Sequence, residues 1–330
     1  METKTETKRK KEGMEFLNKI ILSDCLTGIK QMPDSSVDCC ISSPPYWGLR
    51  DYGVDGQIGL EENYSEFIAK LIELYIEIQR VLKPTGTCFV NLGDTYAGSG
   101  SGTTKNADTS KYVENSKQVY VLPNGTAKAS KFRGTNLNKS LLMIPERFAI
   151  GMIDAGWILR NQIIWHKPNQ MPSSAKDRFT VDFEKIFFFV KQSTGYYFEQ
   201  QLEKSIWAEQ DNRSVNGASE GKGKTEQGNY SMQKCGSYTD GGMKNMRTVW
   251  SINTEPFPEA HFATYPEKLV KRMIEAGCPE NGLVLDPFMG AGTTAVVAKK
   301  LNRNYTGFEL NPKYKLIAEN RLIKEVGLFL

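Results

Sequence analysis

The chain has 330 residues, of which 39% are hydrophobic and 24% are charged, and its formal net charge is +4. This composition is typical of a globular protein with a large core, and the length allows one large α/β domain or two ordinary ones. No apolar run is long enough to span a membrane, and no signal peptide is recognisable, so we expect a cytoplasmic protein with no membrane partner. The slight basic excess permits a nucleic-acid partner without requiring one.

The six cysteines are scattered without a Cys-x-x-Cys pair, and the chain has only two histidines. We therefore expect no metal site, and disulfides are not expected in this compartment. Cys39 and Cys40 have no obvious base near them in the sequence, which disfavours a catalytic thiolate. Residues 1–14 are charged and rich in Lys and Thr, which predicts a disordered basic tail.

The first part of the chain predicts strands that alternate with helices. Strands are expected over 18–22, 37–41 and 87–92, and Ser23 with Asp24 can cap a short helix that runs toward residue 31. A longer helix is predicted over 64–82 from one apolar stripe, with Pro84 and Gly86 ending it. This alternation predicts a parallel sheet with helical crossovers.

Two polar stretches interrupt this rhythm, residues 97–139 and residues 200–247. The first predicts a mobile loop, and the second contains Trp207, Tyr230 and Tyr238 among basic residues. Basic and aromatic residues together suit a surface that meets phosphates and bases, although a solvated, flexible insertion has the same composition. Around these stretches we expect helices over 143–155, 266–276, 294–301 and 312–326, and strands over 157–165, 186–190, 283–285 and 305–308.

The sequence Ser43-Pro44-Pro45-Tyr46 follows the apolar strand 37–41. Two consecutive prolines fix φ twice and supply no backbone N–H, so the strand ends in a rigid loop. The loop presents a serine hydroxyl, the Pro44 carbonyl and an aromatic face, which together suit a flat ring that bears an amine. A plain strand exit with an aromatic plug beneath it is the alternative.

A second motif, residues 286–294, lies where a strand ends and a helix begins. Glycines there let a ligand approach the backbone, and Glu309 ends the next strand, where an acidic residue typically holds ribose hydroxyls. This arrangement predicts a site for an adenosine-containing cofactor. Because Ala295 is tolerated in the dinucleotide fingerprint, a nicotinamide oxidoreductase remains an alternative, but it leaves the Ser-Pro-Pro-Tyr loop unexplained. The candidate cofactor contacts in this part are Asp286, Phe288, Gly290, Gly292, Thr293, Thr294 and Glu309.

Together, these two motifs make the chain resemble the S-adenosylmethionine-dependent DNA amino-methyltransferases. The resemblance implies a Rossmann-like fold with a mostly parallel twisted sheet and helices on both faces. The catalytic loop precedes the cofactor loop, which is the circularly permuted order of the β group of this family. It further implies a catalytic half (15–199), an inserted target-recognition region (200–247) and a cofactor-binding half (248–330). Pro266 and Lys268 resemble another cofactor-contacting segment, and Asp24 stands where the family usually has Gly-Asp near the adenine.

The resemblance also implies a mechanism. An aromatic amine is a poor nucleophile, and acceptors at Ser43 and Pro44 would hold its nitrogen closer to sp³ geometry while Tyr46 stacks on a base rotated out of duplex DNA. Ser-Pro-Pro-Tyr is associated with cytosine N4, so we predict a cytosine-N4 methyltransferase, with adenine N6 as the alternative. An RNA or protein amide substrate is a more distant alternative. The resemblance leaves open a homodimer and a cognate restriction endonuclease as partners.

Overall fold

The computed structural model of the chain describes residues 15–49, 51–98, 136–204, 243–255 and 264–327. The predicted tail 1–14 and most of the two polar stretches lie outside the described residues, as do Trp207, Tyr230 and Tyr238. Within the described segments, no helix is both long enough and apolar enough to cross a membrane.

Six helices and ten strands follow one another along the described chain, close to their predicted positions. The helices are α1 (Cys25–Lys30), α2 (Tyr64–Val81), α3 (Ile144–Asp154), α4 (Glu267–Gly277), α5 (Thr293–Lys300) and α6 (Pro312–Val326). The strands are β1 (Lys19–Leu22), β2 (Val37–Ser42), β3 (Leu82–Leu92), β4 (Ile158–His166), β5 (Phe183–Val190), β6 (Leu202–Lys204), β7 (Met243–Asn245), β8 (Val249–Ser251), β9 (Leu283–Asp286) and β10 (Asn304–Glu309). The sequence pattern does not predict β6, β7 or β8, because three residues are too few to show a period.

Eight strands form one mostly parallel sheet in the order β1-β10-β9-β2-β3-β5-β4-β8. The first five strands of this order are mutually parallel, whereas β5 is antiparallel to both β3 and β4. From β9 the chain passes through α5 to β10, and from β2 it passes through α2 to β3 in the opposite direction along the sheet. The strand order therefore reverses between β9 and β2, which is where open α/β sheets bind their ligands.

Helices cover both faces of this sheet, α1, α2 and α3 as one group and α4, α5 and α6 as the other. Strand β5 is apolar on both of its faces, and both are buried, so the sheet needs a cover on each side there. Phe187 and Phe189 belong to the core beneath α2 and α3, whereas Phe188 stacks on Phe89 with 4.6 Å between ring centroids. The α4 residue Gly277 lies against Phe89, since a Cβ there would come within 2.6 Å of that ring.

The start of β3 differs most from its predicted position. Helix α2 ends at Val81 as expected, but Pro84 and Gly86 lie inside β3 rather than in a turn before it. The pairing of β2 with β3 begins at Val37 and Leu82 and then shifts register before it resumes at Cys39. Such an irregularity tolerates a proline, because the donor that proline lacks is not needed by the ladder there.

Residues 200–247 form a compact unit of their own, separate from the unit made of residues 1–199 and 248–330. In its described part, β6 pairs antiparallel with β7, from Leu202 opposite Asn245 to Lys204 opposite Met243. Arg247 donates to Glu203 at 2.7 Å. The assignment of residues 200–247 as an inserted target-recognition region stays a prediction.

Candidate active site

The two motifs found in the sequence leave the sheet from neighbouring strands. Strand β2 pairs in parallel with β9, with Cys39 opposite Val284 and Cys40 opposite Leu285. The Ser-Pro-Pro-Tyr loop follows β2 and the glycine turn follows β9, so both begin at the same edge, about 4.8 Å apart, which is the spacing of paired strands. The sheet therefore brings together two segments that lie near opposite ends of the chain.

The Ser43 hydroxyl is half-buried at the end of β2 and faces the end of β3. Its Oγ donates to Asn91 Oδ1 over a long 3.5 Å. The other end of the Asn91 amide donates from Nδ2 to the Lys185 carbonyl at 3.3 Å, which turns Oδ1 toward the serine. Because the single hydroxyl hydrogen is used on Asn91, the oxygen lone pairs of Ser43 remain available to an incoming N–H.

Tyr46 is held in one orientation by contacts on its ring and on its hydroxyl. The ring lies against Gly93, where a Cβ would come within 2.4 Å of Tyr46 Cε2. The hydroxyl donates to Glu184 Oε2 at 2.6 Å, and Glu184 is paired in turn with Lys167. Burial, together with the negative charge of Glu184, raises the pKa of Tyr46 well above its usual value, so this side chain stays a neutral aromatic.

The sequence analysis did not find Asn91, Gly93, Glu184 or Lys167. The only local signal is that the polar Asn91 interrupts the apolar run near the end of β3, and that Gly93 and Asp94 follow the strand at the carboxyl edge of the sheet. Glu184 and Lys167 carry no such signal, because Glu184 is brought toward Tyr46 by the pairing of β5 with β3, and Lys167 by the pairing of β4 with β5.

Asp286 lies wholly inside the protein, where it organises the glycine turn. Its Oδ2 accepts from the Tyr265 hydroxyl at 2.7 Å and from Thr294 Oγ1 at 2.5 Å, and its Oδ1 accepts from Phe288 N at 2.9 Å. Burial raises the pKa of Asp286 above its ordinary value, and these three hydrogen bonds oppose that shift. Asp286 thus shapes the turn from within.

Thr293 and the residues at the start of α4 differ in what they contact. Thr293 Oγ1 accepts from the Arg321 guanidinium of α6 at 2.8 Å, which ties the start of α5 to α6. Of the two residues predicted before α4, Pro266 is buried at the helix start, and Lys268 is exposed on the first turn. The residue of this segment that contacts the glycine turn is Tyr265, which the sequence analysis did not single out.

Glu309 sits at the end of β10 beside the glycine turn, as predicted. Its Oε2 accepts from Gly290 N and its Oε1 from Asn311 N, each at 2.8 Å. Burial raises the pKa of Glu309 above its ordinary value, while the two backbone donors stabilise the ionised form. Each carboxylate oxygen has a second lone pair, so the group can also accept from two ligand hydroxyls.

The glycine turn leaves room for a ligand. Gly290 has a φ of +52°, and a Cβ built on it would have no neighbour closer than the Phe288 carbonyl at 3.9 Å. The Phe288 ring is half-buried against the core and offers an apolar surface beside the turn. An acidic acceptor, an open glycine backbone and an apolar ring fit the adenosine part of a cofactor.

Asp24 lies at the same carboxyl edge of the sheet, after strand β1, which is the neighbour of β10. Strand β1 pairs with β10, with Leu22 opposite Glu309, and Ser23 N donates to the Glu309 carbonyl at 3.1 Å. Asp24 Oδ1 accepts from Thr27 N at 2.8 Å and so caps α1, as expected from the sequence. Asp24 and Glu309 therefore border the same end of the sheet.

A loop over 47–61 connects the Ser-Pro-Pro-Tyr loop with the start of α6. Gly48 N donates to the Gly59 carbonyl at 2.8 Å, which closes the base of the loop. Farther out, Asn311 Nδ2 donates to the Tyr52 carbonyl at 3.3 Å, and the Tyr52 ring meets Tyr314 edge-on at 6.3 Å. The loop that follows Tyr46 thus reaches the first turn of α6.

The described cysteines are all buried, which disfavours thiolate chemistry. Burial raises the pKa of Cys25 and of Cys278 to about 12, and it places the pKa values of Cys39 and Cys40 well above their usual range. In the described part of the chain, no group of His, Cys, Asp and Glu could hold a metal ion. Cys235 and His261 lie outside the described residues.

Comparison with known proteins identifies the family. The N6/N4 methyltransferase model, described as DNA methylase, matches residues 37–320. The chain belongs to this DNA methylase family. The type II methyltransferase M.Cfr9I of Citrobacter freundii is 38% identical over 299 residues, which cover 91% of this chain and 85% of the relative.

Solved structures of other DNA methylases are also similar to this chain. The cytosine-N4-specific PvuII DNA methyltransferase matches with a TM-score of 0.57 and 19% identity, covering 92% of this chain and 85% of the other. A DNA modification methylase of Thermus thermophilus, complexed with S-adenosyl-L-methionine, matches with a TM-score of 0.55 and 22% identity, covering 93% and 94%. The predictions of a Rossmann-like fold and of an S-adenosylmethionine-dependent DNA amino-methyltransferase are confirmed, and the nicotinamide alternative is set aside.

Proposed function

We propose that this DNA methylase transfers a methyl group to the exocyclic N4 amine of cytosine at a specific site in duplex DNA. The observation that carries the proposal is the pair of loops at the strand reversal, one with a neutral hydroxyl and the other with a cofactor turn. S-adenosylmethionine supplies an electrophilic methyl group carried on a cationic sulfur.

The residues of the catalytic loop act on the amine. Ser43 Oγ, whose hydrogen is donated to Asn91, accepts one amine N–H, and the Pro44 carbonyl accepts the other. Two acceptors placed on one side draw the nitrogen lone pair out of conjugation and aim it at the methyl group, which is a near-attack geometry. The neutral serine adds no negative charge that would stabilise the cationic cofactor in the ground state.

Tyr46 holds the ring of the base. A target base must leave the duplex to reach this loop, and an aromatic face compensates for part of the stacking that it loses. The hydrogen bond to Glu184 and the contact with Gly93 fix the plane of the tyrosine ring before the base arrives. Fixing that plane in advance reduces the entropy lost on binding.

The cofactor half orients the methyl donor. We assign Glu309 to the ribose hydroxyls, Phe288 to the adenine face and the turn Gly290–Gly292 to the chain that bears the sulfur. Asp24 lies at the same end of the sheet and is assigned to the adenine side, with Pro266 and Lys268 as further contacts from the start of α4. Asp286, Thr293 and Thr294 hold the turn in shape from inside.

The choice of cytosine rests on Ser43 and on the resemblance of Ser-Pro-Pro-Tyr to the cytosine-N4 enzymes, a specificity that the PvuII enzyme also bears in its name. The test is mass spectrometry of nucleosides from DNA methylated in a host without other methylases. N4-methylcytosine is expected, and N6-methyladenine alone would overturn the choice of base.

We further propose that residues 200–247 read the DNA sequence, with help from residues 97–139, both of which lie mostly outside the described residues. Exchange of 200–247 for the matching segment of a relative should change the methylated sequence, as read by methylation-sensitive sequencing. An unchanged target would contradict this assignment. A cytoplasmic location, a homodimer and a cognate restriction endonuclease are consistent with such an enzyme and belong to the same proposal.

A further inference from the structure

The loop between β4 and β5, residues 167–182, exposes large apolar side chains to solvent. Phe179 is 96% exposed and Met171 is 78% exposed, the highest values among the exposed large hydrophobic residues of the described chain. Exposed apolar surface that is rimmed by polar residues is a candidate site of interaction. This segment, which we name the β4–β5 loop, is therefore a candidate site for a binding partner.

The β4–β5 loop leaves the sheet at the same edge as the catalytic loop. Strand β5 starts opposite the end of β3, with Lys185 paired to Leu92, and β4 ends at His166 opposite Phe183. Lys167, at the start of the loop, pairs with Glu184, just beyond its end. Glu184 is the residue that holds the Tyr46 hydroxyl, so the base of the β4–β5 loop supports the catalytic loop directly.

Polar contacts shape the β4–β5 loop away from the two apolar side chains. Asn169 exchanges hydrogen bonds with Thr254, through Oδ1 and Nδ2, each at 3.0 Å. The Arg178 guanidinium lies 3.5 Å from the centre of the Tyr96 ring, directly beside Phe179 in the chain. The loop is thus anchored on both of its arms while Phe179 projects into solvent.

The charge around Phe179 suits a polyanion. Lys176 is exposed three residues before it, and Arg178 precedes it directly. Asp177, the acidic residue between them, is paired with Lys139 at 2.6 Å. A surface that combines cationic side chains with protruding Phe and Met matches the way proteins wedge apolar groups between base steps.

We propose that Phe179, supported by Met171 of the same loop, enters the DNA duplex next to the extruded base and occupies the stacking position that the base vacates. Lys176 and Arg178 contact the flanking phosphates. This inference rests on the proposed function, because a gap exists only if the target base moves to Tyr46. In paired DNA, Phe179 acts as a wedge that stabilises the flipped state. Its contribution is smaller when the target base is already unpaired, because less energy is needed to flip that base.

The test uses three proteins: a double variant that carries both Met171→Ala and Phe179→Ala, the single variant Phe179→Trp, and the parent. Ile150→Ala is the matched control, since Ile150 is a 59% exposed apolar residue that belongs to α3 and not to this loop. The substrates are two synthetic duplexes that carry one methylation site mapped beforehand in plasmid DNA. In one duplex the target base is paired, and in the other it faces an abasic nucleotide.

On the paired duplex, the double variant should lose about tenfold or more in kcat/KM, which corresponds to one lost stacking contact. On the abasic duplex the loss should stay within about threefold, and Phe179→Trp and Ile150→Ala should match the parent on both substrates. An equal loss of kcat/KM on the two duplexes, or no loss on either, would refute the proposal that Phe179 acts as a wedge. A parent that sediments as a dimer and a double variant that sediments as a monomer would instead assign the loop to a subunit interface. A parent inactive on all DNA would count against the proposed function itself.

Discussion

The two adjacent serines at the end of β2 offer a sharp test of the catalytic assignment, because their side chains point to opposite faces of the strand. Ser43 Oγ has one long hydrogen bond of 3.5 Å to Asn91, whereas Ser42 Oγ is buried and lies 2.6 Å from the Tyr75 hydroxyl. We expect Ser43→Ala to lose activity with little loss of stability, and Ser42→Ala to show the opposite pattern.

The magnitudes follow from these contacts. In the transition state the amine nitrogen gains positive charge, and a hydrogen bond to a charged group contributes about 1.5–3 kcal/mol, so Ser43→Ala should lower kcat by roughly 10- to 150-fold. Since the bond to Asn91 is long, the free energy of unfolding should change by less than about 0.5 kcal/mol. Ser42→Ala removes the partner of the buried Tyr75 hydroxyl and should cost about 1–3 kcal/mol of stability.

The assay measures initial rates of transfer from tritiated S-adenosylmethionine to unmethylated plasmid DNA. Cofactor affinity by calorimetry and unfolding in urea complete the comparison for both variants. Ser43→Ala should bind the cofactor as the parent does, because Ser43 acts on the base. A Ser43→Ala enzyme with the parental rate would refute the mechanism, as would a Ser42→Ala enzyme that is inactive yet fully stable.

Three further predictions concern the cofactor half. Tyr265→Phe removes a 2.7 Å hydrogen bond from the buried carboxylate of Asp286 and should lower the free energy of unfolding in urea by about 1.5–3 kcal/mol. Gly292→Ala should cost about 2 kcal/mol in the same measurement, because φ is +77° and the new Cβ would lie 2.8 Å from an α6 side chain. Calorimetry should show cofactor binding that weakens as the pH is lowered from neutral, since burial raises the pKa of Glu309 above its ordinary value and protonation removes the ionised acceptor.

Each of these predictions has a control. Tyr196→Phe should leave stability unchanged, because Tyr196 makes ring contacts with Phe188 and Arg160 that the substitution keeps. Gly56→Ala has a similar φ of +81° with no atom within 4 Å, so it isolates the backbone strain from the contact. Glu309→Gln should bind the cofactor more weakly and without this dependence on pH. A Glu309→Gln protein that keeps the full pH dependence would assign the titration to another group.

Local sequence was sufficient to locate the two motifs and nearly all of the regular structure. The consecutive prolines at 44 and 45 keep β2 from continuing, because their rings fix φ twice and remove two donors. The apolar stripe of α2 has the helical period, and the last helix begins and ends where predicted, at Pro312 and Val326. These features depend on the sterics of neighbouring residues, which a single sequence displays directly.

Only the tertiary structure decided which residues support those motifs. Pairing of β2 with β9 places the serine loop beside the glycine turn, and it depends on burial of both faces of the sheet by helices from distant parts of the chain. Asn91, Glu184 and Tyr265 reach the motifs through hydrogen bonds that span between 21 and 138 residues of sequence. Such contacts have no period and no local composition, so they become visible only once the chain has folded. The sequence marks Asp286 as a ligand contact, which stays a prediction, and only the fold shows that its buried carboxylate accepts hydrogen bonds from Tyr265, Phe288 and Thr294.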